Sequence, residues 1–91
     1  GEMPGEYRLE QNYPNPFNPE TSIRFSISSG EMTKISVYDV SGKETEVLMN
    51  RFLNAGEYEV TFDGSNYASG VYYYRIISGT FSETRKLVLI K

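Results

Sequence analysis

The sequence predicts an all-β fold, an antiparallel sandwich of about seven strands, on three observations. Eight tyrosines and five phenylalanines with no tryptophan, among many β-branched residues, suit half-buried pleated surfaces. Apolar and polar residues alternate with period two over several short stretches, the mark of a strand with one wet face. Gly, Asn and Ser clusters punctuate those stretches at regular spacing, and no run carries a helical period.

The elements follow in order. Gln11 to Pro19 cannot be a helix or a central strand. Pro14, Pro16 and Pro19 lack amide donors, and each pushes the residue before it out of the α region. Asn15 and Asn18 fold their side chains onto nearby backbone and fix turns. The segment reads as a rigid, nearly extended strap, anchored by Tyr13 and Phe17 against an apolar surface. Ser22 to Ser28 is a strand with Ile23, Phe25 and Ile27 on one face. Thr33 to Val40 is a second, with Ile35, Val37 and Asp39 opposite Ser36, Tyr38 and Val40. Ser41-Gly42 makes a tight turn in which Gly42 takes positive φ. Lys43 to Met49 returns as a polar strand near a sheet edge.

Beyond Asn54-Ala55-Gly56, Tyr58, Val60 and Phe62 alternate with Glu57, Glu59 and Thr61, whose carboxylates line a solvated face. Asp63 to Asn66 is a turn. Gly70 to Ser78 is the strongest strand: Arg75 is too polar for a small core, so parity sends Val71, Tyr73, Arg75 and Ile77 outward and Tyr72, Tyr74 and Ile76 inward. Gly70 is expected at a sharp corner where a Cβ would collide or demand a strained φ. Tyr72 is the candidate for the tyrosine corner of immunoglobulin-like sandwiches, its hydroxyl bonding back to the preceding turn. Ser82 to Lys91 closes a last hairpin, with Leu87 and Leu89 inward and Val88 and Ile90 outward beside Lys86.

Composition excludes much chemistry. With neither Cys nor His, the chain holds no disulfide, thiolate nucleophile, imidazole base or cysteine–histidine zinc site. The formal charge of −3 argues against nucleic acid as a partner. A 91-residue domain leaves little room for a substrate cavity, so no small-molecule substrate, cofactor or catalytic metal is expected. The one conceivable ion site is an all-oxygen calcium site at Asp63 and Asn66, which lacks a spaced acidic loop. Residues 1–6 carry no initiating Met and read as a linker remnant; residues 7–91 form the domain, cut from a longer protein.

Three groups of residues are candidates for function. The strap either covers a sheet edge, as prolines do, or is recognised. Tyr67, Tyr72, Tyr73, Tyr74 and Phe62 fill a core without Trp, except Tyr73, which parity turns outward. The tail ends on an outward Val88 and Ile90 flanked by Arg85, Lys86 and Lys91, an apolar edge that either lids the core or invites strand addition by a partner. The residues alone leave these two readings of the tail open.

The order and spacing of the strap, Val37-Tyr38-Asp39, Ser41-Gly42-Lys43, Ala55-Gly56, Phe62-Asp63-Gly64, Ala68-Ser69-Gly70-Val71-Tyr72 and the basic tail resemble the C-terminal sorting domains of bacterial type IX secretion cargo. The likeness runs from about Tyr7 to Lys91. It implies a non-enzymatic module that takes its cargo, transiently periplasmic, across the outer membrane to the surface or medium. Its partners would be the outer-membrane translocon and sorting peptidase, with a cargo domain upstream. Carried over by motif, the export-signal residues are Gly70 and Tyr72, the basic pair Arg85 and Lys86, and Lys91; Arg85 stands where lysine is commoner. The wording is also similar to the immunoglobulin-like domain of flagellar hook-capping proteins. An accessory carbohydrate-binding module is a third reading. Lys91 as a true terminus favours the first.

Overall fold

Seven strands form among residues 6–91, which the computed structural model describes: β1 (Arg8–Leu9), β2 (Glu20–Ile27), β3 (Glu31–Tyr38), β4 (Glu44–Leu53), β5 (Gly56–Asp63), β6 (Gly70–Ser78) and β7 (Phe81–Leu89). They build two antiparallel sheets, in the orders β1-β2-β5 and β4-β3-β6-β7. No helix occurs among the described residues. The arrangement is an immunoglobulin-like sandwich in which the fourth strand lies beside the third, not in the three-stranded sheet where a constant-type domain would put it.

Period-two patterning sets which face each strand buries. Ile23, Phe25, Ile35, Val37, Val60, Phe62, Tyr72, Tyr74, Leu87 and Leu89 are all buried between the sheets, joined by Leu9, Phe17, Ile27, Leu53 and Ile76. A one-residue slip in any strand would turn its apolar set to water, so the hydrophobic pattern fixes the register. In the β3–β6 pair, Ile35 lies opposite Ile76 and Val37 opposite Tyr74. The buried polar pair Thr33 and Ser78 face each other across the same two strands, their hydroxyls 2.9 Å apart.

Several local expectations change. β4 runs four residues past Met49 because Glu31 to Lys34 of β3 pair with Leu53 to Asn50. Two register shifts along β3–β4 admit the extra residues of β4. Asp39 is not a β3 face residue. It leaves the strand, and its carboxylate accepts from the amides of Ser41 and Lys43 at 2.9 and 3.0 Å, closing the turn at whose tip Gly42 has φ 88°. Those bonds, with the Ser41 hydroxyl the largest contributor, hold the Asp39 carboxyl below the usual range. The short strand β1 is additional to the expected elements; it pairs Arg8 with Ser26 and Leu9 with Phe25. Of the expected linker, residues 1–5 lie outside the described residues, while the Glu6 carbonyl accepts from the Ser26 hydroxyl at 3.3 Å.

Candidate recognition site at the C-terminal strand

β7 is the last strand of the four-stranded sheet, and along it Leu87 and Leu89 are buried while Lys86 is exposed. Its far edge carries the backbone groups of Lys86, Val88 and Ile90 that point away from β6. The strap meets them. The Gln11 side-chain amide donates to the Lys86 carbonyl at 2.8 Å, and the Asn15 side-chain oxygen accepts from the Val88 amide at 3.0 Å. Phe17 completes the row through its own backbone: its amide donates to the Val88 carbonyl, and its carbonyl accepts from the Ile90 amide, both at 2.9 Å. From Lys86 to Ile90 the edge is therefore closed by the chain's own strap. Of the two readings of the tail, strand addition at Val88 and Ile90 loses the free amides it needs, and Val88 is part-buried instead of fully exposed. Ile90 keeps 50% of its surface and follows the end of β7.

The strap achieves this by bending. It carries bends at residues 14–16 and 18–19, so it is not the nearly extended segment expected. Its two aromatic residues also part company. Phe17 is buried, its ring 5.8 Å from that of Phe62. Tyr13 leaves 81% of its surface in water and holds the chain by backbone alone, exchanging two 2.9 Å bonds with Ser22 of β2. Gly64 makes room for the anchor: a Cβ there would stand 3.2 Å from the Phe17 ring and 3.0 Å from a Leu89 methyl. The other half of the strap is fixed by Asn12, buried with its side chain on Thr21 Oγ1 at 3.0 Å. The Tyr74 hydroxyl donates to the Glu10 carbonyl at 2.6 Å and accepts from the Asn12 amide at 2.8 Å. Burial pushes that phenol up to about 12.

The five candidate export residues divide into two groups. Gly70, Tyr72 and Arg85 hold the tail. Gly70 pairs with Leu89 and Tyr72 with Leu87. The Tyr72 hydroxyl donates to the Ala68 carbonyl at 2.7 Å, the geometry of a tyrosine corner. Gly70 has φ 152°, and nothing lies within 4 Å of where a Cβ would stand, so only backbone conformation, not collision, reserves the site for glycine. The Arg85 guanidinium reaches across to the Leu9 carbonyl of β1 at 2.7 Å and pairs with Glu83 at 3.1 Å, fastening one sheet to the other. Lys86 and Lys91 are exposed. The Lys91 amide donates to the Ser69 hydroxyl at 2.9 Å, and its ammonium reaches the Ser65 carbonyl.

Asp63, the candidate calcium ligand, accepts from the Ser65 amide at 2.9 Å, and its carboxyl is held low chiefly by the Ser65 hydroxyl. No cluster of three or more metal-ligating groups occurs among the described residues. The other displaced phenol, Tyr67, is pushed up to about 12, first by its hydrogen bond to Glu46. What the region offers is a fixed, basic-ended strand. Sequence reasoning missed Gln11 and gave Asn15 a local turn, whereas the Gln11 amide reaches Lys86 and the Asn15 oxygen reaches Val88, both more than seventy residues away. The available signal was Phe17 itself, an amide donor and bulky anchor set between two prolines.

A family model described as the secretion system C-terminal sorting domain matches residues 11–91. No curated protein matches the chain. Among solved structures, the dimeric latent PorU of Porphyromonas gingivalis is similar over 90% of this chain and 9% of its own, at 16% identity and TM-score 0.64. PorZ of the same organism, described as an essential bacterial surface component of the type-IX secretion system, is similar over 91% of this chain and 11% of its own, at 19% identity and TM-score 0.56. At these identities the two structures establish the shared fold.

Proposed function

The chain belongs to the secretion system C-terminal sorting domain family, that of type IX secretion, and we propose that it acts as a non-catalytic address carried by a cargo protein. The folded sandwich presents its C-terminal strand and basic end to the export machinery at the outer membrane, the translocon and sorting peptidase. The cargo is transiently periplasmic and then reaches the surface or the medium. The observation that carries this reading is the family match, which spans the strap, the sandwich and the tail together. The geometry supports a division of labour: Gly70, Tyr72 and Arg85 keep the tail in register, and Lys86 and Lys91 supply charge that a partner meets.

The test reverses that charge without touching the core. Lys86→Glu with Lys91→Glu changes two exposed side chains and should cost well under about 1 kcal/mol of stability. With the chain fused behind a reporter and a periplasmic targeting signal, the double variant should leave the reporter in the periplasm of a type IX host. A folded double variant exported as well as the parent would show that these lysines are not read.

A further inference from the structure

We propose that the export machinery meets this domain on the outer face of the four-stranded sheet, around Tyr73, through a protein surface with an apolar centre and carboxylates at its rim. The inference rests on the sorting reading and deepens it.

Three observations lead there. The β7 edge is occupied from the Lys86 carbonyl to the Ile90 amide by Gln11, Asn15 and Phe17, so the backbone of that stretch is not free to template another strand. What β7 leaves accessible is its outward side chains. One of them, Val88, joins an apolar strip: it lies beside Val71, and in the next row Tyr38 lies beside Tyr73 with Lys86 on the other side. Tyr73 keeps 37% of its surface exposed, and Val40, at the end of the strip, keeps 74%. Tyr38, Asp39, Val40, Tyr73, Arg75 and Thr84 bound a shallow concavity here.

Charge then selects the partner. The outward ionic residues of this sheet are Lys34, Arg75, Lys86 and Glu44, and Glu44 is taken by Lys34 at 3.0 Å. Arg75 makes only 3.3 Å bonds to the Ser82 hydroxyl, and Lys86 has no ion pair among the described residues. The nearby Asp39 carboxylate is turned onto its own loop amides. The outer face of the other sheet is the reverse: Glu20, Glu57, Glu59 and Asp63 lie on β2 and β5, where Arg24 is already paired with Glu59 at 3.0 Å. A chain of net charge −3 thus shows a basic, aromatic face on one side only. Tyrosine and arginine at the centre of a patch are the residue types that dominate protein–protein binding energy, and buried cations need carboxylate partners.

The experiment compares the two faces in the reporter fusion. Arg75→Glu, and separately Tyr73→Thr, should lower the exported fraction at least tenfold while leaving the melting temperature within a few degrees. Arg75→Lys, which keeps the charge, should export like the parent, as should Arg24→Glu on the opposite face. Should Tyr73→Thr fail to fold, the Arg75 pair alone decides, since that side chain is exposed. Arg75→Glu exported at the parent level, or Arg24→Glu impaired equally, overturns the face assignment and leaves the sorting reading intact. A parent fusion that never leaves the periplasm overturns the sorting reading and takes the face assignment with it.

Discussion

The Tyr74 hydroxyl shows how much one atom carries in this domain. Its ring is fully buried, yet its oxygen serves the Glu10 carbonyl and the Asn12 amide, so the core side chain is also the inner anchor of the strap. Tyr74→Phe keeps the ring and strands both backbone groups, which should cost about 1–3 kcal/mol by denaturant unfolding. Alkaline pH gives a second readout. The folded phenol ionises near 12 and an unfolded one near 10. Its stabilisation is therefore full below pH 10 and lost as pH climbs to 12. The parent should lose stability across that window. Tyr74→Phe should fall less steeply but still fall, because Tyr67 is raised likewise. An identical slope in parent and variant would contradict the assignment.

At the scale of elements, the central relation is between the strap and β7. An edge strand with free amides and carbonyls is a template for pairing with other chains, and the strap removes that hazard from Lys86 to Ile90. Phe17 is the peg that keeps it there. Phe17→Ala should destabilise the domain by about 3–5 kcal/mol through lost core packing. It should also raise amide exchange at Val88 and Ile90 beyond the loss seen at the central residues Ile35 and Ile76. Unchanged relative protection at Val88 and Ile90 would mean that the strap does not hold the edge. The strands themselves were legible, because Ile23, Phe25, Ile35 and Val37 state their face by period two alone. The Tyr72 corner was legible too, since Ala-Ser-Gly-Val-Tyr encodes it locally. The strap's destination was not. Gln11 and Asn15 are polar residues whose partners lie at the far end of the chain, and no local pattern names them. Period two already sets Arg85 and Lys86 on opposite sides, but no local pattern reveals that Arg85 reaches the Leu9 carbonyl of the other sheet.

At the scale of the molecule, the N-terminal segment runs the length of β7. Tyr7 stacks on Phe81 where the strand begins, Leu9 receives Arg85 midway, and Phe17 meets Leu89 where it ends. A tail held this firmly is a surface of fixed shape, suited to being read as folded structure. The central claim is that this chain is a type IX sorting address, and one measurement tests it most directly: the location of a reporter carrying the chain at its C-terminus behind a periplasmic targeting signal. In a host with a working type IX system the reporter should appear at the surface or in the medium, and in an otherwise identical host lacking the translocon it should stay in the periplasm. A reporter that crosses the outer membrane equally in both hosts, or in neither, would contradict the account.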